Sequence, residues 1–152
     1  MIYRLILKAM ILLPLGLVSA CDNNTPLMQE VLDKNPQTVT EIVNHGADLD
    51  AVNRYGWTAL MRAAAKGHVD AVKLLLSRHA ALDLQDENGY TALHWAAHRG
   101  QIAVVKLLLD AGASTELKNR EGWNPLMVAM QEGHQDVVTL LEQYSSYTGS
   151  GR

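Results

Sequence analysis

Apolar and polar positions recur in the same order three times along the chain. Gly56, Gly89 and Gly122 lie 33 positions apart, and the segments around them read NRYGWTALMRAAAKGHVDAVKLLLSRHA, DENGYTALHWAAHRGQIAVVKLLLDAGA and NREGWNPLMVAMQEGHQDVVTLLEQY. A weaker fourth copy, TPLMQEVLDKNPQTVTEIVNHGADLD, begins at Thr25. A fixed interval of this size is typical of repeat proteins, in which each unit buries its apolar face against its neighbours. The pattern therefore predicts four repeats, over residues 25–52, 53–85, 86–118 and 119–144.

Each repeat predicts two short antiparallel helices. The first follows a side chain that can cap it by accepting a backbone N–H, which is Thr58, Thr91 or Asn124. It ends at a glycine that can take a positive φ, which is Gly67, Gly100 or Gly133. The second helix carries an inward apolar stripe, made of Val72, Leu75, Val105, Leu108, Val138 and Leu141. Together these elements predict an all-α solenoid.

The ends of the second helices differ from repeat to repeat. Gly46 and Gly112 follow the helix in the first and third repeats, but His79 occupies that place in the second. A non-glycine residue with a positive φ carries roughly 1 kcal/mol of strain, so we expect strain at His79. In the last repeat, Glu142 and Gln143 replace the Leu109 and Asp110 of its neighbour, which is typical of a solvent-facing cap. The final residues, 145–152, predict a disordered tail.

Short motifs inside the repeats identify a family resemblance. The segments TALMRA at 58–63, TALHWA at 91–96 and NPLMVA at 124–129 resemble the TPLHxA element of ankyrin repeats. The resemblance implies L-shaped units with β-hairpin-like finger loops, and protein binding as the activity. It also implies structural roles for His94, as the motif histidine that ties adjacent repeats together, and for His68 and His134, which match the family's Gly-His pair.

The first twenty residues differ from the repeats. MIYRLILK carries Arg4 and Lys8 without an acid, and AMILLPLGLVSA follows without a charge, so residues 1–20 predict a signal peptide that is removed. A membrane-spanning anchor is the alternative, although Lys8 interrupts the run and Pro14 lies within it.

Cys21, the single cysteine, follows this segment directly. Val18, Ser19, Ala20 and Cys21 resemble the lipobox of bacterial lipoproteins, which implies cleavage before Cys21, acylation such as palmitoylation, and a short tether over residues 21–24. Several acyl chains would hold the protein stably on a membrane. Asp22 resembles an inner-membrane retention signal, with the outer membrane as the alternative. An ordinary secretory signal cleaved after Ala20 is the competing interpretation.

The charge of the chain and its short motifs limit the classes of function that it can have. The chain has 13 basic and 16 acidic residues, a net charge of −3, and loss of residues 1–20 would leave 11 and 16, or −5, which disfavours a nucleic-acid partner. His94 and His98 have the spacing of a zinc-protease helix, but the glutamate of that motif is missing. The chain shows no nucleophile elbow or phosphate loop. We therefore predict no enzyme, no metal, no cofactor and no small-molecule substrate.

Positions that vary between matched repeats are candidates for recognition. They lie on the fingers and on the predicted concave face of the first helices, and they are Arg54, Tyr55, Trp57, Arg62, Lys66, Glu87, Asn88, Tyr90, Trp95, His98, Arg99, Arg120, Glu121 and Trp123. Trp57, Tyr90 and Trp123 could instead pack finger against finger. Trp95 predicts direct contact, because Arg62 and Val128 occupy its place in the neighbouring repeats.

The combined prediction is a non-catalytic module that binds a protein partner. It would be lipid-anchored in the bacterial inner membrane on the periplasmic side, and would serve as an accessory to an envelope enzyme or complex. The alternative is an immunity protein that neutralises a toxin acting in the periplasm.

Overall fold

The computed structural model describes residues 24–149, with side chains described as far as Ser145. Its eight helices are α1 (Pro26–Leu32), α2 (Pro36–Asn44), α3 (Ala59–Lys66), α4 (Val69–Ser77), α5 (Ala92–His98), α6 (Ile102–Asp110), α7 (Pro125–Glu132) and α8 (Gln135–Gly149). Each predicted repeat holds one pair. The predicted signal peptide, Cys21 and Asp22 lie outside the described residues.

Side-chain capping starts the first helix of each pair, as predicted. The side-chain oxygens of Thr25, Thr58, Thr91 and Asn124 accept the backbone N–H three residues on, at 3.3, 3.2, 3.3 and 3.0 Å. Pro26 and Pro125 occupy the first helical position, where a missing N–H donor costs nothing. Gly67, Gly100 and Gly133 follow these helices with φ of 69°, 63° and 76°. Local sequence alone therefore determines where these helices begin and end.

The helix pairs stack through small and aliphatic residues. Ala63, Ala64, Ala96, Ala97 and Ala129 are fully buried, which lets α3, α5 and α7 approach closely. All six residues of the predicted inward stripe are at most 3% exposed. The all-α ankyrin-type solenoid is confirmed, and no strand occurs between residues 24 and 149. Instead, neighbouring fingers join by single backbone hydrogen bonds, from Glu87 N to Tyr55 O (3.1 Å) and from Arg120 N to Asn88 O (2.9 Å).

Two non-glycine residues take left-handed backbone conformations. His79 has a φ of 62°, which confirms the expected departure from the glycine of its neighbours. Lys34, between α1 and α2, has a φ of 55° and was not predicted. No helix in residues 24–149 combines the length and the apolar character that a membrane span needs.

The C-terminal boundary of the last repeat differs from the prediction. Helix α8 continues to Gly149, so the prediction of a disordered tail from residue 145 is wrong as far as that residue. Helix α8 contains no proline or glycine between Gln135 and Thr148. An aromatic residue also anchors the helix just before residue 145. Tyr144 packs against the core and its hydroxyl donates to Leu109 O at 2.7 Å, which fixes the helix to the preceding repeat.

Candidate protein-binding surface

The finger turns and the adjoining surfaces of α3, α5 and α7 form what we call the binding face. It contains all fourteen residues predicted to contact a partner. Eight of them are exposed: Arg54, Tyr55, Lys66, Glu87, Asn88, Arg99, Arg120 and Glu121. Six are half-buried: Trp57, Arg62, Tyr90, Trp95, His98 and Trp123. The exposed residues are thus mainly charged, and the half-buried ones mainly aromatic.

A buried polar residue at the start of each repeat shapes each finger. The side-chain Oδ1 of Asn53 accepts the N–H groups two and four residues on, both at 3.0 Å. Asp86 and Asn119 make the same pair of bonds at 2.9 to 3.0 Å. These residues are 5 to 6% exposed. Our prediction missed this role, although the recurrence of Asn or Asp at one position in three repeats was a readable signal.

Aromatic rings from two fingers and one helix make a continuous row, which we call the aromatic row: Trp57, Trp95 and Tyr90. The ring centroid of Trp95 lies 4.2 Å from that of Trp57 and 4.9 Å from that of Tyr90. The guanidinium of Arg62 lies 4.2 Å from the Trp57 centroid, within the range of a cation–π contact. His98 meets the edge of Trp95 at 5.6 Å. The row is therefore held in place before any partner arrives.

The packing of Trp95 removes the reason for which we predicted that it contacts a partner directly. We expected that a packing position would not tolerate Arg62, Trp95 and Val128 in successive repeats, but all three pack. Arg62 and Trp95 both lie on the Trp57 ring, and Val128 is 1% exposed. Trp57 and Tyr90, whose role was left open, also pack within the row while staying partly exposed. Val128 is thus excluded from the surface.

Asp86 links the finger of the third repeat to the aromatic row. Its Oδ2 accepts a hydrogen bond from Trp95 Nε1 at 2.9 Å. An asparagine in this place would present an NH₂ donor, and the two repeats that have asparagine use it so. Asn53 Nδ2 donates to Asn24 at 3.1 Å, and Asn119 Nδ2 donates to Glu121 at 3.4 Å. The carboxylate at position 86 therefore matches the tryptophan at position 95.

Tyr90 contributes a neutral phenol to the row. Burial raises the pKa of its hydroxyl, a hydrogen bond from Asn119 opposes that shift, and the nearby carboxylates of Glu121, Glu132 and Asp86 raise the pKa further. The hydroxyl therefore stays protonated at neutral pH and can donate a hydrogen bond to a partner.

His94 serves as a structural link, as the resemblance implied. Its Nδ1 accepts from Thr91 N at 3.2 Å, and its Nε2 lies 3.1 Å from Trp123 O in the next repeat. Burial lowers its pKa, partly offset by the bond to Trp123, so the ring is neutral. Both ring nitrogens are occupied. In the part of the chain with described side chains, no three His, Cys, Asp or Glu residues are grouped as a metal site would need.

The other two motif histidines also connect repeats. His68 Nδ1 lies 2.7 Å from Val31 O, and His134 Nε2 lies 3.1 Å from His98 O. His98 itself points its Nδ1 at Glu132 Oε1, at 3.2 Å. His98 thus contacts the fourth repeat, and its role as a surface contact stays a prediction.

The centre of the binding face is basic. Lys66 and Arg99 occupy equivalent positions at the ends of α3 and α5, and both are exposed. Among residues 24–145, the ion pair within 4 Å is His98–Glu132, so neither cation has a carboxylate partner there. In the fourth repeat, Glu132 takes the equivalent position. The charge on this face therefore changes sign along the solenoid.

Comparison with known proteins finds similarity in the repeats. A family model described as "Ankyrin repeats (3 copies)" matches residues 4–86 and 75–148. The chain is 44% identical over 56 residues to Notch-regulated ankyrin repeat-containing protein A of Danio rerio, covering 37% of this chain and 50% of that protein. For the Homo sapiens protein of that name, the figures are 43% identity, 37% and 49%.

A second kind of relative is much longer. The mitochondrial disaggregase of Bos taurus is 37% identical over 68 residues, which is 41% of this chain and 10% of the disaggregase. This chain thus spans about half the length of the Notch-regulated relatives and about a tenth of the disaggregase.

Proposed function

This chain belongs to the ankyrin repeat family, whose repeats typically mediate protein–protein interaction, and we propose that it is a non-catalytic module that holds a protein partner on its binding face. The observation that carries the proposal is the prepacked aromatic row, with the half-buried guanidinium of Arg62 over the Trp57 ring. Tryptophan, tyrosine and arginine are the residue types that dominate interface energetics. Because their side chains are already ordered, binding costs less conformational entropy.

The charge of the binding face indicates the chemistry of the partner. Lys66 and Arg99 are exposed cations at the ends of α3 and α5, and neither forms an ion pair among residues 24–145. Trp95 lies on α5, the helix that Arg99 follows. An apolar segment with acidic side chains next to it fits this arrangement. Electrostatic complementarity of this kind mainly accelerates association and selects among partners.

Charge reversal tests the binding face. We would place a photocrosslinking amino acid at Asn88 and compare the native chain with a Lys66→Glu, Arg99→Glu variant. The matched control is Lys73→Glu, Lys106→Glu, because these exposed lysines lie on the outer helices α4 and α6 and change the net charge equally. We expect a crosslinked protein that the first variant loses and the control keeps. Equal crosslinking in both variants would contradict the proposal.

The proposal includes a lipid anchor, supported by the sequence of the first 22 residues. A basic start, an uncharged run and LVSAC at residues 17–21 are typical of a bacterial lipoprotein signal, and Asp22 favours retention in the inner membrane. We accordingly propose a location on the periplasmic side of the inner membrane, with an envelope enzyme or complex as the partner.

Asn24 supports a short distance between such an anchor and the binding face. Its side-chain oxygen accepts from Asn53 Nδ2 at 3.1 Å and from Arg62 Nη2 at 3.3 Å. Three residues beyond it would lie the acylated Cys21, and three extended residues span about 10 Å. The partner would therefore be bound close to the membrane surface.

Metabolic labelling tests the anchor separately. Cells expressing the chain would be fed an alkyne fatty acid, and the native chain would be compared with Cys21→Ala. We expect label and membrane association in the native chain and the loss of both in the variant. An unlabelled native chain, or a variant that keeps the label, would contradict the anchor without bearing on the binding face.

A further inference from the structure

The C-terminal end of the solenoid exposes two methionines. Met127 and Met130 on α7 are 45% and 59% exposed. Their equivalents in the two preceding repeats are buried, with Met61 and Ala64 at 1% and 0% and His94 and Ala97 both at 0%. The next repeat covers these positions inside the solenoid. The same surface thus continues past the fourth repeat, where no described residue covers it.

Backbone features of the repeat interface also continue there. A Cβ added to Gly56 or Gly89 would lie 3.0 or 2.9 Å from the backbone of the following finger, whereas one added to Gly122 would meet nothing within 4 Å. The carbonyls of Tyr55 and Asn88 accept an N–H from the next finger. No described residue donates to their equivalent, Glu121 O. The last finger therefore keeps an open stacking site.

A shallow cleft of about 310 Å³ lies on this surface, lined by Trp123, Met127, Met130 and Gln131. We call this surface the end face. Methionine side chains are unbranched and polarisable, so they adapt to apolar groups of different shapes. An amphipathic helix commonly binds such a surface through apolar residues spaced at i, i+3, i+4 and i+7. The end face has the position that the first helix of another repeat would occupy.

Acidic side chains border the end face and restrict what can cover it. Glu121 lies on the finger beside it, and Glu142 replaces Leu109, which is 1% exposed in the third repeat. A second copy packed end to end would bring these like charges together, which is unfavourable. The opposite end of the solenoid exposes Gln29 and Asp33, so head-to-tail stacking is also poorly matched. Glu142 and Gln143, the polar residues of the predicted C-terminal cap, lie on α8. Among the described residues, the first helix of the repeat, α7, has no such polar cap over its methionines.

We propose that the end face binds an amphipathic helix of a protein partner, with apolar residues on one side and lysine or arginine beside them. The apolar residues contact Met127, Met130 and Trp123, and the cations meet Glu121 and Glu142. The end face shares Trp123 and Glu121 with the binding face, whereas Met127, Met130 and Glu142 belong to the end face alone. The proposal does not depend on the function proposed for the binding face.

Methionine methyl NMR on the full chain tests the site. The probe is a synthetic helix of about 18 residues with leucine on one face and lysine elsewhere. Two control peptides carry glutamate in place of lysine, or the same residues in scrambled order. We expect the lysine peptide to shift the methyl signals of Met127 and Met130 and leave those of Met28 and Met61, both at most 1% exposed, unchanged.

Three variants localise and challenge the interaction. Met130→Gln should weaken binding at least about tenfold, since it removes apolar contact area, without adding a charge, at an exposed position that folding does not need. Glu142→Lys should weaken the lysine peptide and improve the glutamate peptide. Lys66→Glu on the binding face should change neither.

Three results would overturn the proposal. One is unchanged methyl signals with the lysine peptide. Another is equal binding of the lysine and glutamate peptides. The third is a concentration-dependent shift of Met127 and Met130 without any peptide, which would identify a second copy of the chain as the occupant.

Discussion

A single carboxylate oxygen distinguishes the third repeat from its neighbours. Asp86 Oδ2 accepts from the Trp95 indole, and an amide NH₂ at the same place would face a donor with another donor. We expect Asp86→Asn to lower the free energy of unfolding by about 1–2 kcal/mol, because it leaves a partly buried indole N–H without an acceptor. Urea denaturation followed by tryptophan fluorescence measures this change.

The Trp95→Phe background provides the control. Phenylalanine keeps a ring between Trp57 and Tyr90 but has no N–H, so Asp86→Asn should cost little there. An equal cost in both backgrounds would mean that Asp86 acts through the finger turn alone and not through Trp95.

Backbone strain at His79 is a second effect at the level of one residue. Its φ of 62° places Cβ close to the following carbonyl oxygen, and its side chain is exposed. We expect His79→Gly to raise the free energy of unfolding by about 0.5–1 kcal/mol, net of the entropy that glycine adds to the unfolded chain. The reverse exchange, Gly112→His at the equivalent position, should lower it by about 1 kcal/mol. Calorimetry on both variants checks the pair, and shifts of the same sign would refute the strain argument.

Between elements, the close approach of neighbouring fingers depends on glycine. Gly89 and Gly122 have similar φ values, 79° and 83°, but a Cβ on Gly89 would lie 2.9 Å from the Asn119 Cα and one on Gly122 would meet open space. Gly89→Ala should therefore cost about 3 kcal/mol, from backbone strain and overpacking together, and Gly122→Ala about 1 kcal/mol from strain alone. Equal losses in urea denaturation would show that the fingers do not need this contact.

His94 makes the junction between α5 and the fourth repeat sensitive to pH. Burial lowers its folded pKa, so the unfolded chain takes up the proton first as the pH falls. The stability that the neutral ring contributes is complete above the unfolded pKa, about 6.5, and is lost as the pH falls below it.

The His94→Gln variant isolates this effect from the other histidines. Glutamine can accept from Thr91 N and donate to Trp123 O but does not titrate in this range. We expect the free energy of unfolding of the native chain, minus that of the variant, to decrease from neutral pH toward pH 5. A difference independent of pH would exclude His94 as the titrating group.

The sequence predicted those features of the helices that depend on residues close together in the chain. Caps at Thr58 and Thr91, the glycine after α3 and the inward stripes are set by residues a few positions apart, and all are confirmed. The packing of Trp95 was missed because it depends on rings 38 and 5 residues away along the chain, at Trp57 and Tyr90. Helix α8 extends beyond its predicted end at residue 144 because the Tyr144 hydroxyl donates a hydrogen bond to Leu109 O in the preceding repeat.

The two ends of the solenoid differ in the apolar surface that they expose. The N-terminal repeat has buried its apolar residues, with Leu27, Met28 and Val31 at most 2% exposed, and it presents polar side chains outward. The C-terminal repeat leaves Met127 and Met130 uncovered. The repeat period predicted the stacking but could not predict this asymmetry, because exposure at an end depends on what lies beyond it.

The main helix–helix contacts lie within a repeat or between adjacent repeats, and this arrangement predicts how the chain opens. Each repeat is stabilised by its immediate neighbours, so the central repeats should be the most protected from amide hydrogen exchange and the end repeats less so by roughly ten- to a hundredfold. Gly89→Ala weakens the junction between the third and fourth repeats, and should therefore accelerate exchange in α7 and α8 much more than in α1 and α2. Gly122→Ala, beyond the last junction, should affect its own finger alone. Mass spectrometry of exchanged peptides measures both variants, and uniform acceleration over all eight helices would mean that the solenoid unfolds as one cooperative unit.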